Sequence, residues 1–224
     1  EKMHKTAIEI QERLAKDNPK VYEPDLAMSY NNLAILYAKI QRFDESEKIL
    51  KAAIEIQERL VKENPKANEH SLAMSYKNLA MLYNEIQRLE ESEKMYKAAI
   101  EISERLAKEN PKAYEPDLAM SYNNLANLYN EIQRHEESER MYKAAIEIQE
   151  RLVKDNPKAY EPDLAMSYNN LANLYNEIQR HEESERMYKA AIEIQERLVK
   201  DNPKAYEPDL AMSYNNLANL YNEI

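Results

Sequence analysis

The side chains best suited to metal binding or acid–base chemistry lie in two identical segments, His-Glu-Glu-Ser-Glu at 135–139 and 181–185. A row of histidines could bind a metal ion. Phe43 and Leu89 fill the equivalent position earlier in the chain, however, which favours half-buried packing over metal binding. The segment also lacks a second histidine at the spacing of a zinc-protease motif. These histidines therefore predict neither a metal site nor a catalytic site.

The composition excludes most other catalytic chemistry. The chain has no cysteine, which rules out disulfides, zinc–cysteine sites and thiol catalysis. It also has no glycine, and so lacks a phosphate-cradling loop, a dinucleotide fingerprint and a nucleophile elbow. Its 41 acidic residues lie mainly four positions from basic partners, as on a solvated helix face. We therefore expect no enzyme activity and no cofactor.

The charge balance limits the classes of partner. The formal net charge is −10, and the basic residues are scattered rather than clustered as in a nucleic-acid-binding protein. No apolar run approaches the roughly 20 residues that a membrane span needs. No secretory signal is visible, which favours the cytoplasm. We expect neither nucleic acid nor a membrane as a partner.

Any remaining polar chemistry must be positioned by a repeat that organises the whole chain. The dipeptide Asn-Pro recurs five times at a spacing of 46 residues, at Asn18-Pro19, Asn64-Pro65, Asn110-Pro111, Asn156-Pro157 and Asn202-Pro203. Two of the copies are identical at every position. The repeat predicts a single array with a leading second helix, four full repeats and a trailing first helix, at 1–17, 18–63, 64–109, 110–155, 156–201 and 202–224.

The pattern within each repeat predicts two helices. Hydrophobic residues follow one face of the first helix, at about 162–178, in steps of four and three. The second helix, at about 182–200, carries two apolar stripes, as expected for burial between neighbours. A loop of about seven residues, containing Tyr160, leads to each next repeat, whereas the link near Gln179-Arg180 is short and makes each pair antiparallel. The fold class is therefore an all-α solenoid of ten helices in about five repeats.

Large side chains on the apolar stripes are expected in the core. Tyr168, Tyr175 and Tyr188 lie on these stripes, and Met166 and Met187 receive the same interpretation. We therefore assign these five residues a structural role rather than a role in recognition.

The sequence of each 46-residue repeat resembles the tetratricopeptide repeat (TPR). The resemblance is carried at seven positions by Tyr168-Asn-Asn-Leu171-Ala172-Asn-Leu-Tyr175, followed by Ser184, Tyr188 and Ala191. The 46-residue period and the Asn-Asn-Leu-Ala-x-Leu-Tyr segment are most similar to the extended repeats of kinesin light chain and its bacterial and archaeal relatives. The resemblance implies a right-handed superhelix that binds a protein or an extended peptide and has no enzyme activity.

One departure from the family pattern concerns the turn inside each helix pair. The family usually has glycine there, whereas this chain has glutamine, at Gln41, Gln87, Gln133 and Gln179. A residue with a Cβ atom at this position needs either a strained, positive φ or a different turn.

The resemblance implies a binding surface, because the first helix of each pair lines the concave face in this family. The matching positions form a row of asparagines, here called the Asn row: Asn32, Asn78, Asn124, Asn170 and Asn216. Asparagine offers both a donor and an acceptor, so the row could pair with the backbone of an extended peptide of any sequence.

The rest of the predicted ligand-binding set lies beside the Asn row, at Asn127, Asn173, Asn219 and Lys77. A family-type carboxylate clamp is disfavoured, because only Lys39 and Lys77 are basic on this face. The alternative is that these asparagines are merely solvated or brace a neighbouring helix.

The two ends of the chain suggest a second hypothesis. Glu1 corresponds to Glu93, within a second helix, and Ile224 corresponds to Ile86, at the end of a first helix. The array is thus cut at one inter-helix turn, and copies could stack head to tail as a homo-oligomer and grow into filaments. The sequence does not decide whether the chain is a binding scaffold or a self-assembling structural protein. It also does not decide whether the chain is of natural or designed origin.

Overall fold

The computed structural model describes residues 1–224 and contains ten α-helices and no strand. The first helix has 16 residues and each of the others has 21. In chain order they are α1 Lys2–Asp17, α2 Pro19–Lys39, α3 Phe43–Glu63, α4 Pro65–Glu85, α5 Leu89–Glu109, α6 Pro111–Glu131, α7 His135–Asp155, α8 Pro157–Glu177, α9 His181–Asp201 and α10 Pro203–Glu223. The predicted all-α fold of ten helices is confirmed. None of the helices is both long and apolar enough to cross a membrane.

The first helix of each pair begins five residues earlier than the sequence predicts. α8 starts at Pro157 rather than near Pro162, and Tyr160, expected in a seven-residue loop, lies inside the helix. Only Asn156 separates α7 from α8, with φ of −147° and ψ of 81°. It leaves the helical conformation because the ring of the following proline clashes with a helical residue before it.

The inner proline does not set this boundary. α4 has His70 where α8 has Pro162, yet both helices contain 21 residues. Both begin at the proline of an Asn-Pro pair, where the missing N–H needs no helical partner. Pro162 is tolerated near the start of α8, where it removes one hydrogen bond to the carbonyl four residues earlier.

The turn inside each helix pair requires one residue in the left-handed backbone conformation, with a positive φ. All four glutamines at this position have φ of 59° or 60°: Gln41, Gln87, Gln133 and Gln179. Around Gln179, its N–H donates to the Asn176 carbonyl at 3.0 Å, and the Arg180 N–H donates to the Tyr175 carbonyl at 2.7 Å. These two bonds define a Schellman motif, and the Arg180 guanidinium also stacks 4.4 Å from the centre of the Tyr175 ring. The turn therefore has the left-handed geometry that glycine adopts without strain, at a cost of about 1 kcal/mol for each glutamine.

Residues 1–111 form one compact unit, here called unit 1, which contains α1 to α5. Its core includes Ile8, Leu33 and Leu60, which join α1, α2 and α3. The two helices of a pair approach closely at Ala34, which is fully buried. There the Ser46 hydroxyl of α3 donates to the Ala34 carbonyl at 2.8 Å.

Residues 112–224 form the second compact unit, here called unit 2. One core cluster includes Leu171, Tyr175 and Leu198, and a second includes Tyr188 and Leu217. Tyr175 and Tyr188 are each 3% exposed, which confirms their predicted structural role. Because neighbouring helix pairs supply the two sides of each cluster, a single pair could not bury these side chains alone.

Candidate functional site

The asparagines of the predicted binding set all reach the surface. In unit 1, Asn32 is exposed and Asn78 is half-buried. In unit 2, the members of the Asn row are half-buried, at Asn124, Asn170 and Asn216. The asparagines beside the row are exposed, at Asn127, Asn173 and Asn219. Each lies on the first helix of its pair, so within a unit these side chains occupy equivalent positions on successive first helices.

Lys77 does not belong to this surface, and the prediction that placed it there is wrong. Its side chain is only 5% exposed. It occupies the position that Asn31, Asn123 and Asn169 take in other repeats. This position is rotated by about 100° around the helix from the Asn row, towards the neighbouring first helix.

Asparagines at this buried position brace neighbouring first helices. Asn123 of α6 donates to the Ser167 hydroxyl of α8 at 2.7 Å, and Asn169 of α8 donates to Ser213 of α10 at 2.8 Å. Ser167 in turn donates to the Asp163 carbonyl at 2.9 Å. These asparagines, which lie one residue before the Asn row, therefore connect neighbouring first helices.

Two cavities of unit 2 bring members of the predicted set together. A cavity of about 130 Å³ between α6, α7 and α8 is lined by Asn124, Asn127 and Asn170. A cavity of about 400 Å³ between α8, α9 and α10 is lined by Asn170, Asn173 and Asn216. The same amide chemistry is thus presented twice within the unit.

Sequence reasoning missed several residues of these cavities. Gln149 of α7 and Gln195 of α9 line one cavity each, and Asp163 lines both. Burial raises the pKa of Asp163. The available signal was a glutamine on the otherwise apolar stripe of the second helix, where a polar side chain needs a reason to be buried.

Met166 also lines both cavities, although the sequence predicts it in the core. Its side chain is 51% exposed, so that prediction is wrong. Ala165 and Ser167 on either side of it are buried, and the helix turns Met166 away from them towards the open surface. Met187, by contrast, is partly buried against the core as predicted, and Tyr168 is half-buried.

Tyrosines hold the exposed asparagines of unit 2 in place. The Tyr188 hydroxyl donates to Asn173 Oδ1 at 2.5 Å, and Tyr142 makes the equivalent bond to Asn127. Burial raises the pKa of Tyr188 to about 12, so its hydroxyl keeps the proton that it donates. These bonds, which come from the second helices, orient two side chains of the predicted binding set.

The two histidines take part in hydrogen-bonded relays. The ring Nδ1 of His135 lies 3.2 Å from Asn130 Oδ1, and His181 makes the same contact with Asn176. Because an amide oxygen only accepts, the histidine must donate. Asn176 then donates to Glu223 at 3.0 Å. Both rings are half-buried, as the substitution pattern predicts, and no cluster of three or more His, Cys, Asp or Glu residues could hold a metal ion.

The family model described as tetratricopeptide repeat matches residues 25–105, 71–151 and 117–197. These overlapping matches cover more than half of the chain. The chain belongs to the tetratricopeptide repeat family, whose members are generally non-enzymatic scaffolds that bind proteins or peptides.

Solved structures agree with this assignment. The chain is similar to BtubC (BKLC) from P. vanneervenii, with 26% identity and a TM-score of 0.78 over 98% of this chain and 81% of that one. It also resembles the nearly identical TPR-like repeats of a putative kinesin light chain from Podosopora anserina, with 20% identity and a TM-score of 0.69 over 89% and 86% of the two chains.

A third similar fold is that of MamA, with 17% identity and a TM-score of 0.59 over 88% of this chain and 91% of that one. The predicted resemblance to kinesin-light-chain-type repeats is confirmed. The comparison with curated protein sequences finds no match.

Proposed function

We propose that this chain is a scaffold that binds an extended polypeptide along the face formed by its first helices. The observation that carries this proposal is the repeated cavity of unit 2, in which asparagines from two successive first helices meet. Fold membership supports a role in protein–protein interaction. No catalytic cluster competes with that role.

The chemistry of the surface supports a polypeptide as the ligand. Each amide side chain can donate to a peptide carbonyl and accept from a peptide N–H, so it satisfies both backbone groups of an extended segment. Such pairing depends little on the sequence of the ligand. The orienting hydrogen bonds from Tyr142 and Tyr188 reduce the entropy that Asn127 and Asn173 would lose on binding.

The proposal is tested with peptides selected from a random library displayed against the whole chain. Replacing Asn124, Asn170 and Asn216 together by alanine should weaken binding about tenfold to a hundredfold, because three hydrogen bonds are lost. Fluorescence anisotropy measures the affinity, and circular dichroism checks that the helix content is unchanged.

A matched control changes exposed residues of the second helices. Glu147 and Glu193 have side chains that are 77% exposed, and their replacement by alanine should leave peptide affinity unchanged. If the glutamate variant loses binding and the asparagine variant does not, the proposed face is wrong.

Head-to-tail stacking into filaments stays a prediction of the sequence. Light scattering over a concentration series tests it, together with electron microscopy of the same samples. A mass that grows with concentration, with fibres on the grid, would support self-assembly. A constant monomer mass would contradict it.

A further inference from the structure

Each of the two cavities in unit 2 is lined by two buried amide side chains whose oxygens have no hydrogen-bond partner. These oxygens are Asn123 Oδ1 and Gln149 Oε1 in the first cavity, and Asn169 Oδ1 and Gln195 Oε1 in the second. All four side chains are 4% exposed. A buried acceptor that lacks a donor is destabilising, and native proteins contain few of them. The same unpaired pair, repeated in two successive cavities, indicates a place for donors from a ligand.

The orientation of the asparagine amides is set by their neighbours. Ser167 uses its only proton to donate to the Asp163 carbonyl at 2.9 Å, so it can only accept from Asn123. Ser213 donates to Asp209 at 3.0 Å and accepts from Asn169 in the same way. Each amide must therefore turn its NH₂ group to the serine and keep its oxygen free. What these positions lack is a donor and not an acceptor.

The lining of the cavities favours a donor that carries positive charge. Asp163 lines both cavities and Asp209 lines the second. A lysine or arginine head group brings three or five donors and no acceptor of its own, whereas an amide ligand would bring an acceptor that also needs a partner. Met120, Met166 and Met212 also line the cavities and offer apolar contacts to an aliphatic stem.

We propose that the two cavities of unit 2 are subsites for the lysine or arginine side chains of a bound polypeptide. This inference rests on the proposed function, since the polypeptide backbone lies along the Asn row while its cationic side chains enter the cavities. Successive packed helices lie about 8–10 Å apart, and an extended chain advances about 3.3 Å per residue. The two cationic residues are therefore separated by two others, at positions i and i+3.

The first test varies only the ligand and leaves the protein unchanged. One probe is an acetylated octapeptide of alanine and serine with lysine at positions 3 and 6. The other carries norleucine at both positions, which keeps the aliphatic stem and removes the ammonium group. The lysine peptide should bind at least about tenfold more tightly, because its hydrogen bonds are charge-assisted. Equal affinity of the two peptides would overturn the inference.

The second test removes the acceptors. Gln149→Met and Gln195→Met keep the length of the side chain, and together they should reduce the affinity for the lysine peptide to nearly that of the norleucine peptide. Their thermal stability should be unchanged or higher, because an unpaired buried oxygen has been replaced by an apolar group. Unchanged affinity for the lysine peptide in this variant would contradict the assignment.

Gln57 provides a matched control in unit 1. It occupies the same repeat position as Gln149 and also has an unpaired Oε1. Asn31, at the repeat position of Asn123, already accepts through Oδ1 from Asn78 at 3.4 Å. Gln57→Met should therefore leave the lysine-peptide affinity unchanged, whereas an equal loss from Gln57→Met and the unit 2 variant would overturn the assignment to unit 2.

The peptide library separates this inference from the proposed function. Enrichment of lysine or arginine at i and i+3 supports both. Peptides that depend on the Asn row but show no cationic preference overturn the subsites alone. A library from which no peptide depends on the Asn row overturns both.

Discussion

Unit 1 and unit 2 are built from the same helix pair but present different chemistry at equivalent positions. Leu50 of α3 stands where Tyr142 stands in α7. Between α2 and α4 this leaves a cavity of about 380 Å³ lined by Leu50, Ile35 and Met81. In unit 2 the longer tyrosine reaches Asn127, which takes the place of isoleucine or methionine. Two positions thus differ together: leucine and isoleucine line an apolar cavity in unit 1, whereas tyrosine and asparagine form a hydrogen bond in unit 2.

A second difference lies at the start of the second helices. In unit 2, His135 and His181 donate to the oxygens of Asn130 and Asn176. In unit 1, Leu89 cannot make this bond, and Asn84 Oδ1 is buried without a partner. The later repeats therefore satisfy a polar group that an earlier repeat leaves unpaired.

The largest effect is expected from a charge in the core of unit 2. Leu171 is 2% exposed, and Leu171→Asp should cost about 4 kcal/mol because a carboxylate would be buried without a partner. Urea unfolding followed by circular dichroism should then split into two transitions, with unit 2 unfolding first. The control Ile35→Asp alters a side chain that is 40% exposed and should cost less than about 1 kcal/mol. A single transition with an unchanged midpoint for Leu171→Asp would show that the residue is not buried.

A smaller effect should follow when unit 2 is given the side chain of unit 1. Tyr142→Leu removes the bond to Asn127 and leaves a cavity, so it should lower the free energy of unfolding by about 2–3 kcal/mol. The reverse pair, Leu50→Tyr with Ile35→Asn, should fill the cavity of unit 1. Thermal unfolding of both variants tests this comparison, which fails if Tyr142→Leu is neutral.

Exchange at the histidine position should produce about 1–2 kcal/mol of opposite sign in the two units. His181→Leu leaves Asn176 Oδ1 without its donor and should destabilise the protein. Leu89→His supplies a donor to Asn84 and should stabilise it. Chemical denaturation of the two single variants measures the effect, and a loss of stability in both would refute the equivalence of the two sites.

The smallest effect concerns a feature that the two units share. Burial by itself would raise the pKa of Glu139, but hydrogen bonds from Lys143, Tyr175 and Arg180 outweigh it, and the pKa lies below its usual value. Glu47 of unit 1 also has a lowered pKa, with equivalent partners. Since the folded-state pKa is depressed, the stabilisation is complete above the unfolded value of about 4.3 and is lost as the pH falls through the folded value.

Glu139→Gln should therefore cost about 1 kcal/mol at pH 7 and make stability less dependent on pH below about 4. Glu47→Gln should behave alike, because the two carboxylates have equivalent partners. Thermal unfolding between pH 2 and pH 7 provides the measurement. An undiminished pH dependence in both variants would assign acid sensitivity to other carboxylates.

The period and chemistry of the sequence predict the helix pairs, and several particular residues as well. Tyr175 and Tyr188 lie on the core face because hydrophobic spacing follows the 3.6-residue turn of a helix. The positive φ of Gln179 was one of two alternatives that the missing glycine left open. The early start of α8 at Pro157 could have been predicted from the sequence, because Asn-Pro recurs in every repeat whereas the inner proline does not.

Sequence alone thus determines the repeat, the class of fold and the side of each helix that carries the Asn row, because these follow from spacing along one chain segment. Tertiary structure decides the burial of Lys77, the exposure of Met166 and the unpaired oxygen of Asn123. The orientation of the Asn123 amide, for example, depends on Ser167, which lies about one repeat away along the chain. The periodicity of a helix gives the direction of a side chain, but only the neighbouring helix decides whether that direction meets solvent, a cavity or a partner.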